Sequence, residues 1–456
     1  MCILKKFWVG VFIIFSNGLL SMVYAFDLVE AYRNALVYNA DYLRSIAENT
    51  AGQEKQVQGL SALLPQISVN GAYNENYVNL PATANGGVAG FFHQPVLGAT
   101  LNQVIFDFSK FSTYTKAKYE TQIADLKLQD AKQKLIGTVV SAYFDILYAS
   151  DNLEAIRMQK NAFEKQMNNA KKAFEVGTVS IADVNDAQAN YDAQNAKEIQ
   201  AGNDLLNRKT IFRNLTGLNP DLIQPLVDNI DLINPVPNTA EAWSNVAQEN
   251  NITIKVLGKK LEMAKEDINI AKSGHMPTLN AVANVNYQGL GVGDYGNGAF
   301  YQAINSVSNQ YAEQTTGAVG LSLNIPIYSG GLINSQVREA IANFEVAEQD
   351  LTANKRQVDQ SIRNAFWQVE NGVNFVKAQN QALKSSQLQL KSVRLGYQVG
   401  VRNSIDLVIS EKAYAAILLD YNKARYDYLN YRLQLKYLTG QIDENYLKQI
   451  NINIKH

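Results

Sequence analysis

Three histidines and a single cysteine, in a chain of 456 residues, leave almost nothing from which to build a metal site or a thiol nucleophile. His93 and His275 stand apart from any acid or nucleophile at catalytic spacing, and they predict no catalysis. Cys2 falls in a segment that reads as a removable leader. One glycine pattern imitates a cofactor motif, since Gly291-Val292-Gly293-Asp294-Tyr295-Gly296 spells the dinucleotide-binding fingerprint. It follows a strand but opens no helix, so it lacks the helix N-terminus on which a pyrophosphate rests; its composition predicts an outer loop. Tyr414, Tyr421, Tyr428 and Tyr431 recur at helical spacing, as residues packed in a core do. With 41 basic against 42 acidic residues, the net charge of -1 makes no footprint for a nucleic acid. No cofactor and no enzymatic activity are expected. Function has to come from the elements.

The first 25 residues read as an export signal. Lys5 and Lys6 precede an apolar run from Phe7 to Phe15, extended by Leu19, Leu20, Met22 and Val23. Val23-Tyr24-Ala25 offers a small residue at the cleavage position. Ser16, Asn17 and Gly18 interrupt the run too early for a comfortable membrane-spanning helix. Without Cys2 the remaining chain has no cysteine, so its stability rests on packing and assembly rather than on disulfides. A content of 46% hydrophobic residues is enough for that.

The remainder repeats itself once. Leu64-Pro65-Gln66-Ile67 returns as Met276-Pro277-Thr278-Leu279, Phe174-Glu175-Val176-Gly177 as Tyr397-Gln398-Val399-Gly400, and Leu215-Thr216-Gly217 as Leu438-Thr439-Gly440. Asp183 maps onto Asp406 and Tyr191 onto Tyr414 in the same order. The second half is longer by roughly ten residues, inserted in the Gly- and Asn-rich stretch after Tyr287. Residues 26–219 form the first repeat and 240–440 the second. Residues 220–239, with Pro220, Pro225, Pro235 and Pro237, form the linker, and 441–456 a tail.

Each half predicts a helix, two strands, a long helix and a shorter helix. From about 110 to 174 and from about 332 to 395 no proline occurs. Val337, Phe344, Leu351 and Val358 step by heptads, with Ile362, Val369, Val376, Leu383 and Leu390 on the companion row. At 1.5 Å per residue such helices are roughly 100 Å long, longer than any globular core. The flanking helices, near 29–63, 181–215, 240–273 and 405–438, are about half that length. Two stacked end to end would match one long helix beside them.

Four segments alternate with period two. Val319, Leu321, Leu323, Ile325 and Ile327 alternate with small or polar residues, as do Leu279 to Gln288, Ile67 to Tyr77 and, more loosely, Ala99 to Phe106. A soluble sheet with one wet face gives the same pattern. In an exported chain, Asn-rich polar faces opposite apolar ones fit an outer-membrane barrel, apolar toward lipid and polar toward a lumen. Four strands cannot close, and an open edge is not tolerated in lipid. Closure therefore demands that copies of the chain share one barrel.

These residues carry a family resemblance. Ser273 to Leu279, Leu321-Ser322-Leu323-Asn324-Ile325-Pro326-Ile327-Tyr328-Ser329-Gly330-Gly331 and Asn334-Ser335-Gln336-Val337 resemble the TolC family of outer-membrane channels. Leu63-Leu64-Pro65-Gln66, Gln103 to Asp107, Gly400 to Asp406 and Leu438-Thr439-Gly440 extend it over nearly the whole chain. The resemblance implies an α+β membrane protein: a homotrimer with a 12-strand β-barrel in outer-membrane lipid, four strands per chain. A long α-helical coiled-coil barrel continues it into the periplasm of a Gram-negative bacterium. It also implies a periplasmic adaptor (membrane fusion) protein and an inner-membrane RND, MFS or ABC transporter as partners, for drug efflux or type I protein secretion. The alternative is a structural trimeric coiled-coil rod or adhesin, which would explain the heptads but predicts one barrel segment at one end.

In TolC-like proteins links between helices close the periplasmic end. The matching positions are Asp183 with Tyr397, and Ala182 with Arg402. Asp183 and Tyr397 suit a hydroxyl-to-carboxylate hydrogen bond, whereas Ala182 has no side-chain acceptor and Arg402 needs another partner. The same residues also read as ordinary turn and helix-start residues, Asp being a common cap. Members also carry aspartate rings that prefer cations. Asp406 matches the first ring, and Ile409 stands at the second. Asp186, one turn after Asp183, is a further carboxylate that also fits a solvated helix face.

Overall fold

Asparagine and glycine punctuate this chain more than proline does. The computed structural model describes residues 26–83, 86–227, 230–289, 291–296, 302 and 313–454; the leader assigned to 1–25 lies outside them. The first expected flanking helix is two helices, α1 (Leu28–Tyr38) and α2 (Ala40–Ser61). Asn39 leaves helical geometry at ψ 116°, and its side chain accepts from Tyr42 N to cap α2 at 2.8 Å. Strands β1 (Gln66–Thr83) and β2 (Gly86–Phe106) follow. Asp107 then caps the long helix α3 (Phe108–Glu175), which turns back into α4 (Ile181–Thr216). The second half repeats the plan. Helix α5 (Ala240–Asn250) breaks at Asn251, which caps α6 (Ile252–Ser273). Strands β3 (Thr278–Gly289), β4 (Gly291–Gly296) and β5 (Glu313–Asn324) lead to α7 (Leu332–Gln398) and α8 (Ser404–Leu438). Both flanking helices were expected unbroken; a capping asparagine divides each of them.

The breaks let short helices stack. Gly217, past the end of α4 at φ 74°, lies against the Tyr38 ring at the α1–α2 break, so that a Cβ there would meet it at 2.9 Å. Gly440, past the end of α8 at φ 66°, leaves room for the Asn250 carbonyl oxygen, 2.5 Å from where a Cβ would stand. Asn251 donates to Leu438 O at 2.8 Å across the same joint. Thus α4 runs into α2 beside α3, and α8 runs into α6 beside α7. Only glycine combines the left-handed backbone with that close approach.

The strands form one antiparallel sheet in the order β1-β2-β3-β5. Strand β4 pairs with β2 between Gly90 and His93, continuing the line of β3 beyond the break at its end. Gly291–Gly296, read from composition as a loop, is therefore strand, because β2 reaches past β3 and offers it a partner. Strands β1 and β2 are longer than the roughly ten residues expected. Their hairpin projects beyond the shared sheet. Ile325 and Ile327 lie outside β5, which ends at Asn324 before Pro326.

The main core is a belt around the middle of the helices. Leu28 and Tyr32 of α1, Val139 to Leu147 of α3, Phe212, Trp243, Val358 to Val376 of α7 and Tyr421 to Leu435 of α8 meet there. The linker and tail join it. Leu226 pairs with Ile454, and helix α9 (Glu444–Asn451) buries Tyr446, Leu447 and Ile450. Asn451 then ties the end of the chain to its start, accepting from Leu28 N at 3.1 Å and donating to Asp27 at 2.7 Å.

Candidate functional site

Two regions hold the expected sites: the sheet, and the turns about 100 Å away at the far end of the 68-residue α3. The register separates two faces of the sheet. Ile67, Leu101, Ala283 and Val319 form one cross-strand row, and Val69, Ala99, Val285 and Gly317 the next. This face is open, Val319 being 88% and Val69 70% exposed. The opposite rows are Ser68, Thr100, Asn284 and Ala318, then Asn70, Gly98, Asn286 and Thr316. Gly98 lets Asn70 and Asn286 lean together, since a Cβ on it would stand 2.8 and 2.7 Å from their amide oxygens. At the upper margin of the apolar face Tyr73 stacks on His93 with centroids 5.6 Å apart, and Tyr77 packs on Phe91 at 4.9 Å. His93 is thus an aromatic packing partner. His275 pairs with Asn334 Oδ1 at 3.1 Å beside the joint between sheet and helix.

The far turns are built alike. Gly177 at φ 76° and Gly400 at φ 80° end α3 and α7 in the left-handed region that lets each helix reverse. Ser180 then starts α4 as a capping box with Asp183. Asp183 Oδ2 accepts from Ser180 N at 2.9 Å and from its hydroxyl at 2.8 Å. These bonds hold the Asp183 carboxyl below the usual aspartate range. The Ser-x-x-Asp spacing was readable in the sequence, but the partner was not named. Asn403 caps α8, accepting from Asp406 N at 2.8 Å.

Arg402, left without an acceptor at Ala182, finds Asp406. Its guanidinium stands 3.6 Å from Asp406 Oδ2 one turn on, and its stem packs over Gly396. Tyr397 is half-buried on α7, and within one chain it makes no hydrogen bond to Asp183 among the described residues. The structure therefore joins Arg402 with Asp406, and Asp183 with Ser180, while Asp183 and Tyr397 remain on separate hairpins. Asp186 is exposed on α4. Around these residues the turns expose Val176, Ile181, Val399, Val401, Ile405 and Ile409. Of the four tyrosines, Tyr421 and Tyr428 are buried in the belt, and Tyr428 bonds both the amide and the carbonyl of Ile233. Tyr431 packs against the belt, and Tyr414 is half-buried farther down α8.

The model of the family described as "Outer membrane efflux protein" matches residues 31–218 and again 243–441. The chain belongs to the outer membrane efflux protein family. It is 32% identical over 440 residues to the outer membrane protein TolC of Escherichia coli (strain K12), covering 95% of this chain and 86% of that one. It is 24% identical to the alkaline protease secretion protein AprF of Pseudomonas aeruginosa, over 94% of this chain and 88% of the relative. In three dimensions it is similar to the Campylobacter jejuni CmeC outer membrane channel, with a TM-score of 0.77 at 17% identity, covering 94% and 90% of the two chains. As an outer membrane efflux protein this chain is a channel of the outer membrane and not an enzyme, which removes the rod or adhesin reading. Its sheet supplies four strand positions to a barrel shared between copies, and its helices the tunnel beneath.

Proposed function

We propose that three copies of this chain form one exit duct, closed at its periplasmic tip and opened when an adaptor docks there. The observation that carries the reading is the sheet, whose edges β1 and β5 are unpaired and whose two faces divide into apolar and Asn-lined rows. Lipid excludes an unpaired edge, so β5 of one copy pairs with β1 of the next, and three copies give 12 strands. The apolar rows then meet lipid, and Ser68, Asn70, Asn284 and Asn286 line the lumen.

Similarity to TolC and to AprF supports duct roles in both drug efflux and type I secretion. The adaptor and an inner-membrane transporter of the RND, MFS or ABC class would supply the drive. The exposed apolar turn residues Val176, Val399 and Val401 offer the adaptor its footing. In the closed trimer, Tyr397 and Asp183 form the latch between hairpins, and Asp406 forms a ring of three carboxylates.

Single-channel recording in a planar bilayer tests this. Tyr397→Phe with Asp183→Ala is expected to raise conductance while the trimer persists. Ser180→Ala, which removes the cap and the hydroxyl bond to Asp183 but keeps the carboxylate and its bond to the backbone amide, is the control and should conduct like the parent. Parental conductance in the double variant would reject the latch.

A further inference from the structure

Beside the belt, the linker, α5, α8 and α9 enclose a cavity of about 120 Å³, room for about four waters at their liquid volume. Its wall is chemically one-sided. Arg432 and Lys436, one turn apart on α8, both reach it, with Asn234 and Gln449 as amides and Trp243 and Tyr446 as aromatic sides. No carboxylate lines it, and neither cation forms a salt bridge among the described residues. The nearest acid in charge terms, Asp443, is engaged elsewhere as the cap of α9, accepting from Tyr446 N at 2.7 Å.

Two like charges in one half-buried cavity repel, and each loses hydration. The consequence is visible at Lys436, whose ammonium is pushed below the usual lysine range by burial first and by Arg432 next. Both cations lie against aromatic rings: Lys436 Nζ lies 4.9 Å from the Trp243 ring centre and 6.0 Å from that of Tyr446, and Arg432 lies 5.7 Å from that of Tyr428 and shares a hydrogen bond with the Tyr446 side chain. Lys436 gives one hydrogen bond to Gln441 Oε1 at 2.9 Å. Such contacts orient the cations and, among the described residues, engage Lys436 with Gln441 and Arg432 with Tyr446, whereas a guanidinium carries five N–H groups and an ammonium three.

We propose that this cavity binds a phosphate-class oxyanion, held by the Arg432 fork and the Lys436 ammonium against the Trp243 ring. The arrangement matches what phosphate recognition needs: a planar donor fork, a point charge and neutral amide donors, with no competing carboxylate. The duct function does not require it. The site lies among the elements that join the two halves of the chain, so an occupied cavity tightens the belt.

The full chain reports on the site itself. Outside residues 1–25 its tryptophans are Trp243 and Trp367, so Trp367→Phe leaves Trp243 as the sole reporter after export. Titration of that trimer in detergent with inorganic phosphate, at ionic strength balanced by sodium chloride, should give a saturable change in Trp243 emission. Arg432→Gln with Lys436→Gln should weaken it at least tenfold, and Lys436→Arg should retain it. In parallel, phosphate should raise the thermal midpoint of the unmodified trimer but not that of the double variant, since a ligand bound only by the folded state stabilises it. Response to glycerol phosphate as well would show that the cavity takes the group on a larger molecule; response to phosphate alone would restrict it to the free ion. A flat titration together with an unchanged midpoint, or equal responses in the parent and the double variant, overturns the proposal.

Discussion

At the scale of single residues, the tip pairs its charges within one hairpin. From the turn before α8, Arg402 reaches Asp406 in the first turn of that helix, 3.6 Å away. A partly exposed i,i+4 pair of this kind contributes only about 0.3–0.5 kcal/mol, yet it masks the charge that is expected to select cations. Arg402→Ala should therefore raise the cation preference of the open pore, and Asp406→Asn should lower it, both read as reversal potentials in a salt gradient. An unchanged preference in both variants would take Asp406 out of the permeation path. In the belt, Asp151 accepts from Tyr426 at 2.9 Å, and burial pushes its carboxyl above the usual aspartate range. The folded state then holds that proton more tightly than the unfolded chain does. Between the unfolded and folded pKa values, stability contributed by this group falls as pH rises. Asp151→Asn should flatten the dependence of the thermal midpoint on mildly acidic pH, whereas Tyr426→Phe, which strands the carboxylate, should cost about 1–3 kcal/mol. A steeper pH dependence in the Asn variant would contradict the assignment.

At the scale of elements, the sheet gives depth as well as facing. From the row of Leu279 and Leu323 to that of Gly289 and Glu313 the strands rise about 25 Å when tilted as barrel strands are, which sets Val319 near the midplane and Leu323 near the lower margin. Val319→Arg should impair assembly by about 2–4 kcal/mol per chain, Leu323→Arg by about 0–1 kcal/mol, and Ser322→Asn on the polar face hardly at all. Denaturant midpoints in lipid would show the gradient, and equal effects at 319 and 322 would reject the facing. The helix joints are equally specific: Gly440→Ala, at φ 66° and facing the Asn250 carbonyl, should cost more than 1 kcal/mol. Much of this was legible beforehand. Period two in Leu279 to Gln288 and heptads through α7 are local signals, and they gave the strands, the long helices and the stacking of shorter ones. The breaks at Asn39 and Asn251 were not read, because a capping asparagine looks like any polar residue until Gly217 and Gly440 arrive from far along the chain. The residues around Gly291 were taken for a loop for a similar reason, since their partner strand lies in the other half. At the tip, Asp183, Tyr397, Arg402 and Asp406 are candidates from the resemblance alone, and the bonds they make depend on side-chain geometry that spacing does not encode.

At the scale of the whole molecule, one chain is an incomplete object: two raw sheet edges and an apolar face persist until copies meet. A trimer that resists heat in detergent is expected, and a monodisperse monomer with intact secondary structure would sink the shared barrel. Cys2 being the single cysteine of the sequence, single cysteines placed on β1 and β5 in a Cys2→Ser background should cross-link neighbouring chains into a ladder ending at three; cross-links confined within one chain would count against closure. The belt adds a condition on timing. Its stitches between Asn451 and both Asp27 and Leu28 join residues more than 420 positions apart, so the contacts of the first helix are complete only when the last one is made. Before the tail is made α1 can pack on α3 and α4 of its own half, but the two halves lack the clasp that the tail provides. A chain stopped short by a nonsense codon or a nick near Glu444 would keep long helices yet lack that clasp, leaving it open to proteases before it could spoil a trimer. A chain lacking residues 441–456 is therefore expected to yield less trimer than the full chain.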